Sequence, residues 1–349
     1  MVAQVQIYSF DPLLDPRWTE FVRRHPRATV FHSIEWLRTL ASCYNYVPVA
    51  YTTSREGCPL ENALLFFQVR SWITGHRLVS LPFSDHCEPL VENASELQLL
   101  LEAPRQEQCR GDWKYIEMRP LSTSLLEGME ACPNQYVLHL LDLRPPIEKL
   151  YGQLHKNSIQ RKLRRAEREG LTLEEGRSPS LLLEFFRLHV KTRRRHRLPP
   201  HPPSWFEQML LLLGQQFTIR VARKGEQAIA ALITIHGNKD FVYKYGASDE
   251  DFHEMGGMPF LAWNMIVAAK QAGYSFLDFG RSERANIGLV AFKNHLGATP
   301  QPLRYLRIPA QRDFRAPEYL HPRISRLAFR CCPDAVLIAA GRWLYPHFG

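Results

Sequence analysis

Much that would assign this sequence quickly is missing from it. No apolar run approaches the roughly 20 residues a helix needs to span a bilayer; stretches such as Ala335–Gly341 are far shorter. The opening MVAQVQIYSFDPLLDPRW lacks a basic segment followed by an apolar one, so no secretory signal is expected. The seven cysteines (43, 58, 87, 109, 132, 331 and 332) are odd in number and contain no C-x-x-C pair. That argues against a disulfide framework and a zinc ribbon, and a reducing cytoplasm fits. His189, His196 and His201 do not have zinc-ligand spacing, so no metal is expected. No cysteine or serine stands in a convincing nucleophile setting. Ser84-Asp85-His86 contains the residue types of a triad, but neighbours on one strand or turn cannot assemble one. Asp85 is expected only to border a cleft.

What is present is a chain of 349 residues, 45% hydrophobic, enough for the cores of two ordinary domains. Its net charge of +9 is clustered. Residues 155–168 contain Lys156, Arg161, Lys162, Arg164, Arg165 and Arg168, and 187–197 contain six more basic side chains. Each cluster suits either a solvated helix face or the phosphates of a nucleotide, nucleic acid or lipid head group. The arginine-rich stretch 311–349 suits either helices packed on a domain or an amphipathic membrane-surface element.

The pattern along the chain is α+β. Ser33 is a good N-cap for a helix over 34–44, whose Trp36, Leu37, Leu40 and Ala41 recur on one face. Two later stretches look alike. ENALLFFQVRSWITGHRLV leads to the helix-like ELQLLLEAPRQEQC and the strand WKYIEMRP; EQAIAALITIHGNKDFVYKYGAS leads to PFLAWNMIVAAKQAG and YSFLDFGRS. This predicts an internal duplication, with domains at 1–145 and 146–310 and a tail at 311–349. The break is placed at Asp142-Leu143-Arg144-Pro145-Pro146. Beyond it, Ile159, Leu163 and Ala166 form the buried face of a basic helix that stops at Gly170. Further helices are expected over 181–195 and, capped by Ser204, over 204–213.

The order of elements over 155–308, with FLDFGRS at 276–282 and NIGLVAFKNHLGA at 286–298, resembles the GNAT acyltransferase superfamily. More closely it resembles the FemAB-like branch, with two GNAT-type domains in one chain, and the BioF2-like acetyltransferase domain. His32-Ser33, Trp36-Leu37 and Leu81-Pro82-Phe83-Ser84-Asp85 resemble the subgroup associated with exopolysaccharide and PEP-CTERM clusters. The resemblance implies two tandem GNAT-like domains, each a mainly antiparallel mixed sheet flanked by helices. It implies an EC 2.3 acyltransferase acting in the cytoplasm on an amine of a cell-envelope or exopolysaccharide precursor, a small-molecule or lipid-linked sugar or peptide. Acyl-CoA is the implied co-substrate, with no tightly bound cofactor. Aminoacyl transfer from charged tRNA to a peptidoglycan-like acceptor is the alternative, and a non-catalytic module binding RNA or anionic lipid is one of another class; peripheral contact with the inner membrane surface is a further expectation. The chain departs from the family pattern in lacking the helical arm some FemAB proteins use for tRNA and a clear Arg/Gln-x-x-Gly-x-Gly/Ala pyrophosphate loop; only Gly256-Gly257 stands in its place.

Acyl transfer to an amine needs deprotonation, oxyanion stabilisation and positioning. Lys293, which matches the lysine of the family's apolar-Phe-Lys motif, is expected to stabilise the oxyanion or balance an anionic ligand, ahead of a snorkelling role. Asp278 ends an apolar strand and is expected to pair with Arg281, as a structural clamp or in proton transfer. Asn286 converges with them in sequence. Tyr243 and Tyr245, separated by one residue, are expected on one strand face, where a phenol would line the acceptor pocket or bond the leaving group. Gly256 and Gly257 before a helix suit a donor phosphate, and also suit an ordinary helix start. Lys156, Arg161 and Arg193 are expected to bind an anionic part of a substrate.

Overall fold

A computed structural model describes residues 5–126, 136–310 and 332–349. The chain divides into two compact units. The first holds β1 (Tyr8–Phe10), α1 (Arg17–Arg24), α2 (Ile34–Tyr44), β2 (Val47–Thr52), β3 (Leu64–Ser71), β4 (Gly75–Val79), α3 (Ala94–Cys109) and β5 (Tyr115–Met118). The second holds β6 (Tyr136–Asp142), α4 (Ile147–Gln153), α5 (Arg161–Arg168), β7 (Thr172–Gly176), α6 (Pro179–Arg195), α7 (Pro203–Leu213), β8 (Phe217–Lys224), β9 (Gln227–His236), β10 (Phe241–Ser248), α8 (Gly257–Gln271), β11 (Phe276–Glu283) and α9 (Ile287–His295). β12 (Thr299–Leu303), β13 (Leu306–Pro309) and a last helix, α10 (Asp334–Leu344), follow. Among the described residues, no helix is long and apolar enough to cross a membrane.

The two sheets repeat one plan. The first runs β1-β2-β3-β4-β5-β13 and the second, read from its far edge, β7-β8-β9-β10-β11-β6-β12. In each, the fourth and fifth strands are parallel, β4 with β5 and β10 with β11, while the preceding strands are antiparallel. The look-alike stretches therefore fold alike, as a mixed α+β arrangement. The domain limits read from sequence need correction. β6 precedes residue 145 yet is bonded to β11 in the second sheet, and β13 follows all the second unit's strands yet is bonded to β5 in the first. Both positions are fixed by pairing with distant partners. Of the tail expected at 311–349, residues 311–331 lie outside the described residues. Residues 343–349 pack in the first unit and 332–342 in the second.

Local signals explain the helix ends. Ser33 accepts from the Trp36 amide, and Trp36, Leu37 and Leu40 are fully buried. Gly170, at φ +65°, ends α5; Ile159, Leu163 and Ala166 are buried as the spacing predicts. Residues 156–160 form a wider π-type turn before α5. Ser204 does not cap α7, which begins one residue earlier with Pro203 in its first turn.

In the second unit one face of the sheet carries α4, α5 and α8. Leu150, Leu163, Leu261 and Met265 pack there against Leu232, Phe241, Leu277 and Phe279. On the other face, α6 and α7 present Phe185, Trp205 and Phe206 beside Tyr245. In the first unit Leu97, Leu100 and Leu101 of α3 pack on Phe66, Leu78 and Ile116.

Candidate active site

The second unit contains a place where the sheet opens. β10 and β11 are in register only at Phe241–Leu277 and Val242–Asp278. Both strands run on, to Ser248 and Glu283, without pairing to each other further. Each is irregular at this point. β10 bulges against β9 between Tyr243 and Tyr245, and β11 bulges against β6 between Asp278 and Arg281. A bulge inserts one residue and turns the strand. Gly280 takes the residue of the second bulge at φ +71°, a conformation that suits glycine.

Gly280 is held from both sides. Its amide donates to Asp278 Oδ1 at 2.6 Å. Its carbonyl accepts from Lys293 Nζ at 3.0 Å, and the Arg281 carbonyl accepts from the same ammonium at 3.2 Å. Lys293 is only 2% exposed, so it does not snorkel. It sits in the last turn of α9, not at its start, where the helix dipole favours a cation. Phe292 and Leu296 beside it join the core under the sheet.

His139 on β6 lies against the same bulge and was not singled out from sequence. It is fully buried. Burial first, and the Lys293 charge second, push its pKa down to about 4, against opposing effects of Asn294 and Asp278. The imidazole is thus neutral near pH 7, while Asp278 and Lys293 both lie near enough to influence it. Ser282, on the same strand beyond the bulge, is 2% exposed, and its hydroxyl has no hydrogen-bond partner among the described residues. No pattern in the sequence marks His139, which strand pairing brings here, whereas Ser282 closes the FLDFGRS stretch itself.

The other expected residues are distributed as follows. Arg281 lays its guanidinium over the Tyr136 ring, 4.5 Å from the centroid. Asn286 caps α9, accepting from the Leu289 amide. Tyr243 and Tyr245 do not share a face. Tyr243 registers with Thr234 and packs in the α8-side core, whereas Tyr245 registers with Ile233 and faces α6 and α7. The extra residue of the bulge, Lys244, cancels the alternation that sequence spacing implied. The Tyr243 hydroxyl lies so close over Gly246 that a Cβ there would fall 1.8 Å from it. The Tyr245 hydroxyl accepts from Trp205 Nε1 at 2.9 Å.

Gly256 has φ +80°, and a Cβ there would lie 2.5 Å from the Lys162 carbonyl oxygen. Gly257 packs against Ile229 and Ala230 of β9. Close packing accounts for both glycines. Arg193 donates to the Pro199 carbonyl at the end of α6. Lys156 and Arg161 are exposed, as are Arg164 and Arg168, and none of the four has an ion-pair partner among the described residues. The described residues contain no group of three His, Cys, Asp or Glu placed to hold a metal ion.

The counterpart in the first unit is closed. Glu117 pairs with Val79 at the end of the parallel register, as Asp278 pairs with Val242, and Arg119 follows two residues on. Arg119 Nε donates to Glu117 at 2.9 Å, and Arg307 Nε donates to its other oxygen at 2.6 Å. The two arginine charges outweigh burial and hold the Glu117 carboxyl at about 2. Arg119 also donates to the Leu81 and Ser84 carbonyls. Beyond β4 the chain keeps bonding to the end of β5, Ser80 to Glu117 and Cys87 to Arg119. Only the second unit leaves its two parallel strands apart.

That divergence, with a helix following each of the two strands, is the decisive feature of the fold. Residues 154–293 match the sequence profile of an acetyltransferase (GNAT) domain. The matched GNAT segment spans β7 to β11 and ends at Lys293. Solved structures extend the likeness to both units. FemX superposes with a TM-score of 0.67 at 13% identity, covering 86% of this chain and 96% of that one. A tandem GNAT protein from the clavulanic acid biosynthesis pathway gives 0.55 at 12%, covering 88% and 98%. L-PGS from Bacillus licheniformis gives 0.56 at 17%, covering 90% and 96%. At these identities the likeness is one of fold. No curated protein sequence matches the chain.

Proposed function

We propose that the protein is an N-acyltransferase of the GNAT type, using the gap between β10 and β11 as its donor site. The amine of a cell-envelope or exopolysaccharide precursor attacks the donor carbonyl directly. A C–N bond forms, the C–S bond to coenzyme A breaks, and the thiolate leaves with a proton. The observation that carries this reading is the buried Lys293 ammonium, fixed by two carbonyls at the bulge where the strands part. A charge held there in low dielectric stabilises a developing oxyanion strongly and needs no reorganisation. Asp278, at the same bulge, is the group to take the amine's proton. Unpaired strand edges offer amide groups to the donor's extended arm. Ser282, a buried hydroxyl with no partner among the described residues, is suited to a polar group of the ligand. Tyr245, on the α6 side of the gap, would border the acceptor.

The donor has a second reading. Gly256 and Gly257 are taken up by packing, which weakens the case for a pyrophosphate site at the start of α8. The exposed cations Lys156, Arg161, Arg164 and Arg168 favour a larger polyanion, an aminoacylated tRNA. One experiment separates them: release of free CoA thiol from acyl-CoAs of several chain lengths, run beside deacylation of aminoacyl-tRNA, each with amine-bearing nucleotide-sugars and peptides as acceptors. Thiol release dependent on an amine supports the first reading. Acceptor-dependent deacylation that weakens steeply with salt supports the second. Neither activity, with a folded protein, overturns the transferase reading.

A further inference from the structure

Two tryptophans stand out from a well-packed first unit. Trp72 is 76% exposed and Trp343 is 55% exposed, where tryptophan is ordinarily buried. Trp72 occupies the turn between β3 and β4, and its ring meets Trp343 edge-on at 5.8 Å. Both rings also contact His347, at 5.6 and 6.0 Å.

The segment behind them is firmly held. Thr74 Oγ1 and Arg77 Nη2 both donate to the His347 carbonyl, at 3.0 and 2.7 Å, and Ser71 Oγ bonds its ring at 3.1 Å. Tyr46 donates to the Pro346 carbonyl at 3.0 Å. The indoles are therefore presented outward by a fixed base.

The flank of the hairpin is basic. Arg70 and His76 are cross-strand partners, both exposed, and the Lys114 side chain lies against Gly75 in the turn. The chain as a whole carries +9.

We infer that this hairpin tip docks on an anionic lipid surface, with Trp72 and Trp343 at head-group depth and Arg70 facing lipid phosphates. Size favours a bilayer over a protein partner. The two rings expose roughly 300 Å² between them, whereas a stable protein interface buries about 800 Å² per side. Indole combines an apolar body with one N–H donor, which suits the water–lipid boundary, and nearby cations add attraction to anionic lipid. The inference goes beyond the transferase reading and is independent of it.

The test is co-sedimentation of the full chain with vesicles of phosphatidylcholine alone or with a third phosphatidylglycerol, at low and high salt. Binding is expected only to the anionic vesicles. Trp72→Ala should lower partitioning about tenfold, and Arg70→Glu about fivefold or more at low salt. Both positions are exposed, and unchanged thermal unfolding will show that the fold is kept. Equal binding of wild type and Trp72→Ala, equal binding to both vesicles, or no binding at all overturns the inference. So does recovery of a stoichiometric protein complex through this face in place of lipid.

Discussion

Replacing Lys293 by Met tests the site most directly, because it keeps the stem and removes only the charge. The Gly280 and Arg281 carbonyls lose a charged donor. Hydrogen bonds of this kind contribute about 1.5–3 kcal/mol each. Against that loss stands the several kcal/mol needed to keep an ammonium out of water, which Met does not require. The two effects nearly offset, so a stability loss of about 0–3 kcal/mol is expected in urea unfolding. Catalysis has no such compensation. Losing a preorganised oxyanion partner lowers kcat about 10²–10³-fold, equivalent to about 3–4 kcal/mol of barrier. The variant should therefore be folded and close to inactive. Arg at this position restores charge but not the compact ammonium, and should recover little. The measurement is single-turnover acyl transfer at saturating donor, normalised to folded protein. Turnover within threefold of wild type in a folded Lys293→Met protein would refute the assigned role and leave the lysine as a clamp on the bulge.

Three further outcomes follow from the packing. His32 is buried neutral, with its pKa driven down to about 4 chiefly by burial. A histidine depressed on folding contributes fully above its unfolded pKa near 6.5, and the contribution is lost as pH falls from there towards 4. About 2.5 units correspond to roughly 3 kcal/mol. Urea midpoints should drop across that window, and a flat profile from pH 7 to 4.5 would contradict it. Gly256→Ala places a Cβ at positive φ against the Lys162 carbonyl and should cost about 2–4 kcal/mol. Gly170→Ala, at φ +65° with open space around it, should cost only about 1 kcal/mol; equal losses at the two sites would show that the close approach contributes nothing. Glu117→Gln leaves Arg119 and Arg307 without their buried counter-charge and should lose about 3–5 kcal/mol in chemical denaturation. A loss below 1 kcal/mol would mean that the clamp is not needed to close the first unit's counterpart site.

Features that depend on neighbours a few residues away are legible in the chain. Ser33 and Gly170 mark helix ends because capping and positive φ are local demands. Ile159, Leu163 and Ala166 are buried because a 3.6-residue period admits one apolar face. The duplication was legible because both copies keep the same order of strand and helix signals, and the strand–turn–helix around Asp278 and Lys293 could be singled out for its polar residues in an apolar setting. Other features arise from contacts between distant segments. The bulge at Lys244, which separates Tyr243 from Tyr245, appears only once β9 sets the register. His139 reaches Lys293 because β6 pairs with β11, across a separation that spacing does not encode. β6 and β13 join sheets that their sequence positions do not suggest. Glu117 and Asp278 sit at matching points of the repeat, yet Arg119 and Arg307 close around one while the strands part beside the other. Strand pairing is a contact between distant segments, so its register, its bulges and the cleft they create come into being only when the sheet is assembled.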